Sequence, residues 1–288
     1  MDRIIDKIES NSFFLETNLS DNLIIDGSKI EDFNDLRSII INPLCILGLP
    51  GMADIGKMAS DQLIQLLNAK RILEITFDDF PAGAIVTDSI LYSPRAEIYL
   101  FQDPGRMQDI LIFTADAQPM SPKGIHSFSR YIAKLIHLLN GTLVISLGAY
   151  PVEQPSKNNY IYVAATSEQM LNNLGVSKQL INLTKGVIIG ANGLVSTFCK
   201  NAYNIDGVIL LSETNGFEAM KKDAYDVKAS MTLLEVLSKE FHLNINIEKL
   251  DCDMQIENLE AKIKEEKESI KRELNSSKKR PMTLPYFG

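Results

Sequence analysis

The chain has 288 residues, 45% of them apolar, so it can bury a sizeable core in one large domain or two small ones. Its formal net charge of −8 argues against nucleic acid or an anionic membrane as the main partner. The cysteines at positions 45, 199 and 252 form no C-x-x-C pair, which argues against a disulfide framework or a zinc site and fits a reducing cytoplasm. The N-terminus MDRIIDKIES does not read as a signal peptide, and no apolar run approaches the roughly 20 residues of a membrane span.

Residues 1–41 are predicted to form an elaboration before the first core strand, with FFLE and NLIID as candidate edge strands. Regular alternation begins with the stretch Leu44–Thr76. It reads as an apolar strand, a glycine turn, an amphipathic helix and a second apolar strand, and this pattern is typical of a parallel β-α-β unit.

The next segments continue this alternation up to residue 250. Extended pieces AIVTD and AEIYLF lead to strand DILIFTA, a helix that ends at Asn140-Gly141, and strands TLVISLGAY and YIYVAAT. Thr166 and Gln169 predict a capping box for a short helix. GVIIG then precedes a turn at 191–193 and a helix from about Leu194, and GVILLSETNG precedes a helix from about 226 to 241. The pattern predicts an α/β fold, a three-layer α/β/α sandwich with a mainly parallel sheet, over residues 42–250.

The composition changes after this domain. Acidic and basic residues are equally frequent from 251 to 280 and accompany a broken heptad of apolar positions. This predicts a charged C-terminal helical extension over 251–275, which either leans on its own domain or binds a partner. Residues 276–288 are predicted to be a flexible tail with an aromatic end and a terminal carboxylate. Such an end either folds back on its own surface or enters a partner's pocket.

The glycine turn is a near match to a phosphate-binding loop. Gly51, Gly56 and Lys57 fit G-x-x-x-x-G-K, but Met58 stands where a hydroxyl would bind Mg²⁺. Asp54 would place a carboxylate inside the cradle and repel phosphate. The other interpretation is a tight strand-to-helix turn in which glycine permits positive φ and close packing. We therefore expect no tight Mg²⁺–nucleotide site, no cofactor and no metal.

One crevice is predicted where the strands end. Glu213 follows GVILLS, Asn192 follows GVIIG, and Gly51 follows the first core strand, so all three are expected at the carboxyl edge of the sheet. The alternative is that Glu213 and Asn192 bond to turn backbones. The residues assigned to structural turns or to this crevice are Gly48, Pro50, Gly51, Gly56, Asn192, Gly193 and Glu213.

The sequence resembles a known family at these motifs. The strand followed by GLPGMADIG, then GVIIGANGL, then GVILLSETNG, is similar in order and spacing to the proteasome assembly chaperone 2 family of prokaryotes, which has archaeal members. The resemblance covers about residues 43–250. It implies a three-layer α/β/α domain that looks like the nucleoside phosphorylase fold without its catalysis.

The resemblance also implies a function. Family members are similar to chaperones that help to assemble the proteasome core, and some archaeal members end in a hydrophobic-tyrosine-any motif that activators use to dock between α-ring subunits. Carried over, Tyr286 is the hydrophobic residue, Phe287 replaces tyrosine without its hydroxyl, and Gly288 supplies the carboxylate. The implied protein is non-enzymatic, cytoplasmic and homo-oligomeric, with proteasome α subunits as partners. The alternative is a small-molecule enzyme of ligase or hydrolase type that uses the crevice near Gly51, Asn192 and Glu213.

Overall fold

A computed structural model describes residues 14–25, 27–105, 107–174, 178–221 and 224–243. The described residues form thirteen strands: β1 (Leu15–Leu19), β2 (Ile24–Ile25), β3 (Ser28–Lys29), β4 (Leu44–Leu47), β5 (Lys70–Phe77), β6 (Ile85–Thr87), β7 (Ile90–Tyr92), β8 (Arg95–Phe101), β9 (Ile110–Ala115), β10 (Leu143–Val152), β11 (Ile161–Ala165), β12 (Leu180–Asn182) and β13 (Asp206–Asn215). They also form seven α-helices: α1 (Phe33–Ile39), α2 (Ile55–Leu67), α3 (Pro122–Leu138), α4 (Glu168–Asn173), α5 (Ala191–Tyr203), α6 (Gly216–Ala219) and α7 (Val227–Glu240). Within these ranges, no helix combines the length and the apolar character that crossing a bilayer requires.

The central sheet has nine of these strands in the order β1-β5-β8-β9-β4-β10-β13-β11-β12. Its middle strands β9, β4, β10 and β13 are parallel neighbours. On one side β8, β5 and β1 pair antiparallel, and on the other β11 pairs antiparallel with β13 and parallel with β12. The predicted strands LCILGL, RILEI, DILIFTA, TLVISL and GVILL are confirmed, and the pairing directions make all five run the same way.

The stretch Leu44–Thr76 differs from a simple β-α-β unit in one respect. Strands β4 and β5 run in the same direction, as the unit requires. They are not hydrogen-bonded neighbours, however, because β9 and β8 lie between them in the sheet. The prediction that these two strands form a unit was therefore wrong about their adjacency. The sequence pattern of β4, α2 and β5 contains no information about which later strands enter between them.

Helices cover both faces of the sheet and give the predicted α/β/α layers. Helices α2 and α7 pack against each other, with α2 on β4, β9 and β10 and α7 on β13. Helices α3 and α5 pack together, and α5 contacts β10 and β13. Cys45 and Leu47 lie in the core cluster with Phe128 of α3 and Val195 of α5. Because side chains alternate along a strand, the intervening Ile46 faces the layer of α2.

Helix α3 shows how the sequence fixes these elements. Its apolar stripe includes Phe128, Ile132 and Leu135, which are buried in the core. The Ser121 side chain accepts a hydrogen bond from the Gly124 N–H at 3.0 Å, and Pro122 occupies the first turn, where no N–H donor is needed.

Two local predictions between residues 166 and 193 were wrong. The residue that caps α4 is Ser167, whose side chain accepts a hydrogen bond from the Met170 N–H. Thr166 instead donates to Asp206. Residues 186–190 form no strand, and residues 191–193 form the first turn of α5 rather than a loop turn, so the helix begins three residues early.

The structure describes much of the N-terminal elaboration but not the C-terminal extension. Of the N-terminal elaboration, β1 is an edge strand of the main sheet, β2 and β3 pair with each other, and α1 follows an Asp32 cap. The predicted charged helix at 251–275 and the predicted tail at 276–288 lie outside the described residues.

Candidate functional site

The loop after β4 is shaped by two close-packed glycines. A methyl group on Gly48 would overlap the Ser60 hydroxyl, and one on Gly56 would overlap the Leu147 carbonyl oxygen. These contacts bring the start of α2 against β10. Gly51 itself is extended, with φ −167°, whereas the positive φ values in the loop belong to Ala53 and Asp54 at 49° and 47°. Close packing was thus a correct reason for glycine at position 56, but positive φ was the wrong reason at position 51.

The polar groups of this loop bind one another. Lys57 Nζ lies 3.1 Å from the Asp61 carboxylate on the next turn of α2 and 3.4 Å from Thr114 Oγ1. The Asp54 carboxylate accepts the Gly51 N–H at 3.4 Å, and burial raises the pKa of Asp54. The two groups that a phosphate would contact, Lys57 and the Gly51 N–H, therefore both have protein partners.

Glu213 is a buried carboxylate, only 5% exposed, near the carboxyl end of β13. Its Oε2 atom accepts hydrogen bonds from the Ser156 N–H at 2.9 Å, the Ser156 hydroxyl at 2.7 Å and the Tyr160 N–H at 3.3 Å. Its Oε1 atom accepts one from the Tyr162 hydroxyl at 3.4 Å. Glu213 thus fixes the loop that joins β10 to β11, which matches the structural alternative weighed for this residue.

A pocket of about 690 Å³ lies at the carboxyl edge of the parallel strands. Its walls are the loop after β4, residues 148–151 of β10, the segment 183–189 and the first turn of α5, with Ile209 and Leu211 of β13 inside. Gly51 and Asn192 of the predicted crevice line it, together with Gly56, whereas Glu213, the third residue predicted there, does not. The lining also does not include Gly48, Pro50 or Gly193.

Gln118 connects the two helix starts at this pocket. Its Nε2 donates to the Pro50 carbonyl oxygen at 2.6 Å, and its Oε1 accepts the Ala191 N–H at 3.0 Å. Gly190, with φ 94°, lies so close that a methyl group there would approach Gln118 Oε1 to 2.7 Å. Sequence reasoning missed Gln118, because a lone polar residue in a proline-containing loop gives no signal.

Asn192 has an unusual environment. It is 9% exposed, occupies the second position of α5 and lines the pocket. Its Oδ1 atom is buried without a hydrogen-bond partner among the described residues. The Asn192 side-chain oxygen therefore accepts no hydrogen bond from a turn backbone among these residues, contrary to the structural alternative.

Apolar side chains are exposed around the same edge. Val187 and Ile189 at the pocket are 88% and 87% exposed. Phe217 and Met220 lie on and just after α6, which contacts β10, and are 74% and 76% exposed. We call these four residues the apolar rim. Exposed apolar groups of this size commonly mark interaction surfaces.

The predicted docking residues Tyr286, Phe287 and Gly288 lie outside the described residues. Within the residues that the structure does describe, no group of three or more His, Cys, Asp or Glu side chains is placed to hold a metal ion.

Comparison with known proteins places this geometry among relatives. A family model described as the PAC2 family matches residues 45–267. An uncharacterized protein of Methanocaldococcus jannaschii is 28% identical over 263 residues, which cover 90% of this chain and 96% of that protein. The crystal structure of Pyrococcus furiosus PbaB, an archaeal proteasome activator, is similar with a TM-score of 0.70 at 24% identity, covering 87% of this chain and 98% of that chain. Pyrococcus furiosus PbaA, an archaeal homolog of proteasome-assembly chaperone, has a TM-score of 0.62 at 22% identity, covering 83% and 94%.

Proposed function

The chain belongs to the PAC2 family, and from that premise we propose that it is a non-enzymatic, cytoplasmic protein that binds the proteasome core particle as an assembly chaperone or related partner. The observation that carries a binding role is the apolar rim, whose four side chains expose most of their surface. The similarity to PbaA, an archaeal homolog of proteasome-assembly chaperone, and to PbaB, an archaeal proteasome activator, supports the choice of partner.

The proposed contact is the C-terminal sequence Tyr286-Phe287-Gly288, which inserts its aromatic ring and carboxylate between α subunits of the ring. Burial of a Phe ring is worth roughly 1.5–3 kcal/mol. A charge-assisted contact to the carboxylate adds about 1.5–3 kcal/mol more. The proposal requires that the native chain end at Gly288, which the intact mass of the native protein checks.

Surface plasmon resonance on purified α rings from the same organism tests this contact. Deletion of residues 286–288 should abolish binding, and Phe287→Ala should weaken it by about tenfold, the equivalent of 1.4 kcal/mol. Phe287→Tyr should preserve or strengthen it. Phe14→Ala is the matched control, because Phe14 is a half-exposed aromatic at the other end of the chain. If deletion leaves binding unchanged, the tail does not dock and any contact comes from the folded part.

We propose further that the protein is a homo-oligomer in which the rim is covered by a second copy. Several tails could then engage one ring, and weak contacts would add through effective concentration. Ile189→Asp should reduce the mass measured by light scattering after size exclusion. Val86→Asp, at another exposed apolar position that is 63% exposed, should not. A wild-type mass equal to one chain would contradict the oligomer.

The same geometry supports the absence of catalysis. Glu213, the candidate carboxylate, is engaged by Ser156 and Tyr160, and Lys57 is paired with Asp61. A ligase or hydrolase working through these groups would first have to break those bonds. Proteasome binding does not explain the pocket at the carboxyl edge, and the residues that line it indicate a different role.

A further inference from the structure

Helix α5 starts at the pocket and has no side-chain cap. Helix α5 is thirteen residues long, and its N-cap residue is Gly190, which has no side chain to accept a hydrogen bond. The Ala191 N–H donates to Gln118 Oε1, and no other N–H of this first turn has a partner outside the helix among the described residues. A helix N-terminus carries about half a positive charge and favours an anion. The start of α2 at the pocket also has no side-chain cap, but it differs because the adjacent Asp54 carboxylate accepts the Gly51 N–H.

Asn192 provides independent evidence for a ligand at this helix start. Its side chain lines the pocket and is about nine-tenths buried, yet its Oδ1 atom has no partner among the described residues. A buried polar atom left without a hydrogen bond destabilises the folded protein. Rotation of the amide exchanges its oxygen and nitrogen, so either group can meet a ligand. A bound polar group is the simplest explanation for an amide held in this way.

The charged groups around the pocket indicate whether the bound group is an anion or a cation. Lys185 is the one charged side chain among the described lining residues. It is exposed at the mouth, where its ammonium can attract an anion without a desolvation cost. The uncapped start of α5 and the Lys185 ammonium favour an anion, and no carboxylate is among the described lining residues. The Asp54 carboxylate of the neighbouring loop already accepts the Gly51 N–H.

The remaining wall is apolar. Leu49, Ala149, Ile188, Ile209 and Leu211 line the interior. The volume of about 690 Å³ lies within the range of small-molecule sites. A bare inorganic ion would leave most of this apolar surface in contact with water.

We infer that the pocket binds a small organic anion: a carboxylate or phosphate placed at the start of α5 beside Asn192, attached to an apolar body that fills the interior. This goes beyond proteasome binding and does not depend on it. The site uses Asn192 and Lys185, not the near match to a phosphate loop at Gly51–Met58.

Isothermal titration of the full chain with octanoate, octyl phosphate and octanol tests the inference. The two anions should bind, the tighter one identifying the head group, and octanol should bind about tenfold more weakly or not at all. Inorganic phosphate should compete weakly for the same site. Equal affinity for octanol and the anions, or no binding of any probe, would overturn the inference.

Two variants locate the site. Asn192→Asp introduces a carboxylate of the same shape and should weaken anion binding by at least about tenfold. The matched control is Asn34→Asp, at the second position of α1 and exposed, which should bind normally. Should thermal unfolding show that Asn192→Asp is poorly folded, Lys185→Gln decides, because an exposed lysine can change without loss of packing. Unchanged affinity in Lys185→Gln and in a folded Asn192→Asp would refute the site.

Discussion

Glu213 gives the most direct test of how the carboxyl edge is built. Its Oε2 atom accepts two short hydrogen bonds from Ser156 and a longer one from the Tyr160 N–H. Hydrogen bonds to a charged group contribute about 1.5–3 kcal/mol each. Glu213→Ala leaves these buried donors without an acceptor, so it should lower the free energy of unfolding by about 3–5 kcal/mol. Glu213→Gln keeps an acceptor oxygen and loses the charge, so its effect should be about 1–2 kcal/mol.

Urea unfolding followed by circular dichroism measures these changes, and hydrogen exchange reports on the Ser156 and Tyr160 amides. The matched control is Glu218→Gln, because Glu218 is 65% exposed and forms a surface ion pair with Lys221. It should change the free energy by less than about 0.5 kcal/mol. If Glu213→Ala is equally mild, or if both amides keep their exchange rates, the carboxylate does not hold the loop. Glu213 would then again be a candidate for chemistry in the crevice.

Four further predictions concern the loop and the core. Gly56→Ala should lower the free energy of unfolding by about 1–3 kcal/mol, since its methyl group would overlap a backbone carbonyl of β10. Gly51→Ala, in extended backbone with its nearest contact at 3.9 Å, should be nearly neutral in the same urea assay. Calorimetry with Mg²⁺ and ATP should detect no micromolar binding at the loop, and binding that Lys57→Ala abolishes would contradict this. Burial raises the pKa of Cys199 to about 12 and that of Cys45 well above its usual range. With the third cysteine replaced by serine, the folded protein should therefore not react with Ellman's reagent at about pH 8, and rapid reaction would contradict the buried thiols.

The strands of the core could be predicted because a strand that is buried on both faces has a recognisable run of apolar residues in the sequence. All four residues of β4 and all six of β9 are buried; β4 is a continuous apolar run, and β9 is apolar except for Thr114. The order of the strands in the sheet leaves no such pattern in the local sequence. Whether β5 neighbours β4 depends on where β8 and β9 later insert, and those segments follow both strands in the chain.

The segment 186–190 shows where the same reasoning fails. GVIIG is an apolar run bounded by glycines, so it reads as a buried strand. Val187 and Ile189 are instead almost fully exposed, and β12 takes the place beside β11. A surface that serves an apolar contact has the same composition as a core strand, and one sequence cannot distinguish them.

The site was partly predictable for a geometric reason. Gly51 follows a parallel strand and therefore lies at the carboxyl edge, as predicted. Asn192 reaches the same pocket for another reason, because it lies in the first turn of α5, which starts there. Gln118 could not be predicted, because its two bonds reach segments 68 and 73 residues away. The engagement of Glu213 depends likewise on a loop 57 residues earlier.

The position of β13 constrains the order in which the chain can fold during synthesis. β13 lies between β10 and β11 in the sheet, yet it follows both in the sequence. While the ribosome has released only the residues before 206, β10 and β11 must be kept apart by the width of one strand. Each then has an unpaired edge that another chain can join. The insertion of β13 closes this gap, and only then does Glu213 reach the loop at 156–160. If translation stalls before β13 is released, the nascent chain should therefore depend on molecular chaperones to avoid aggregation.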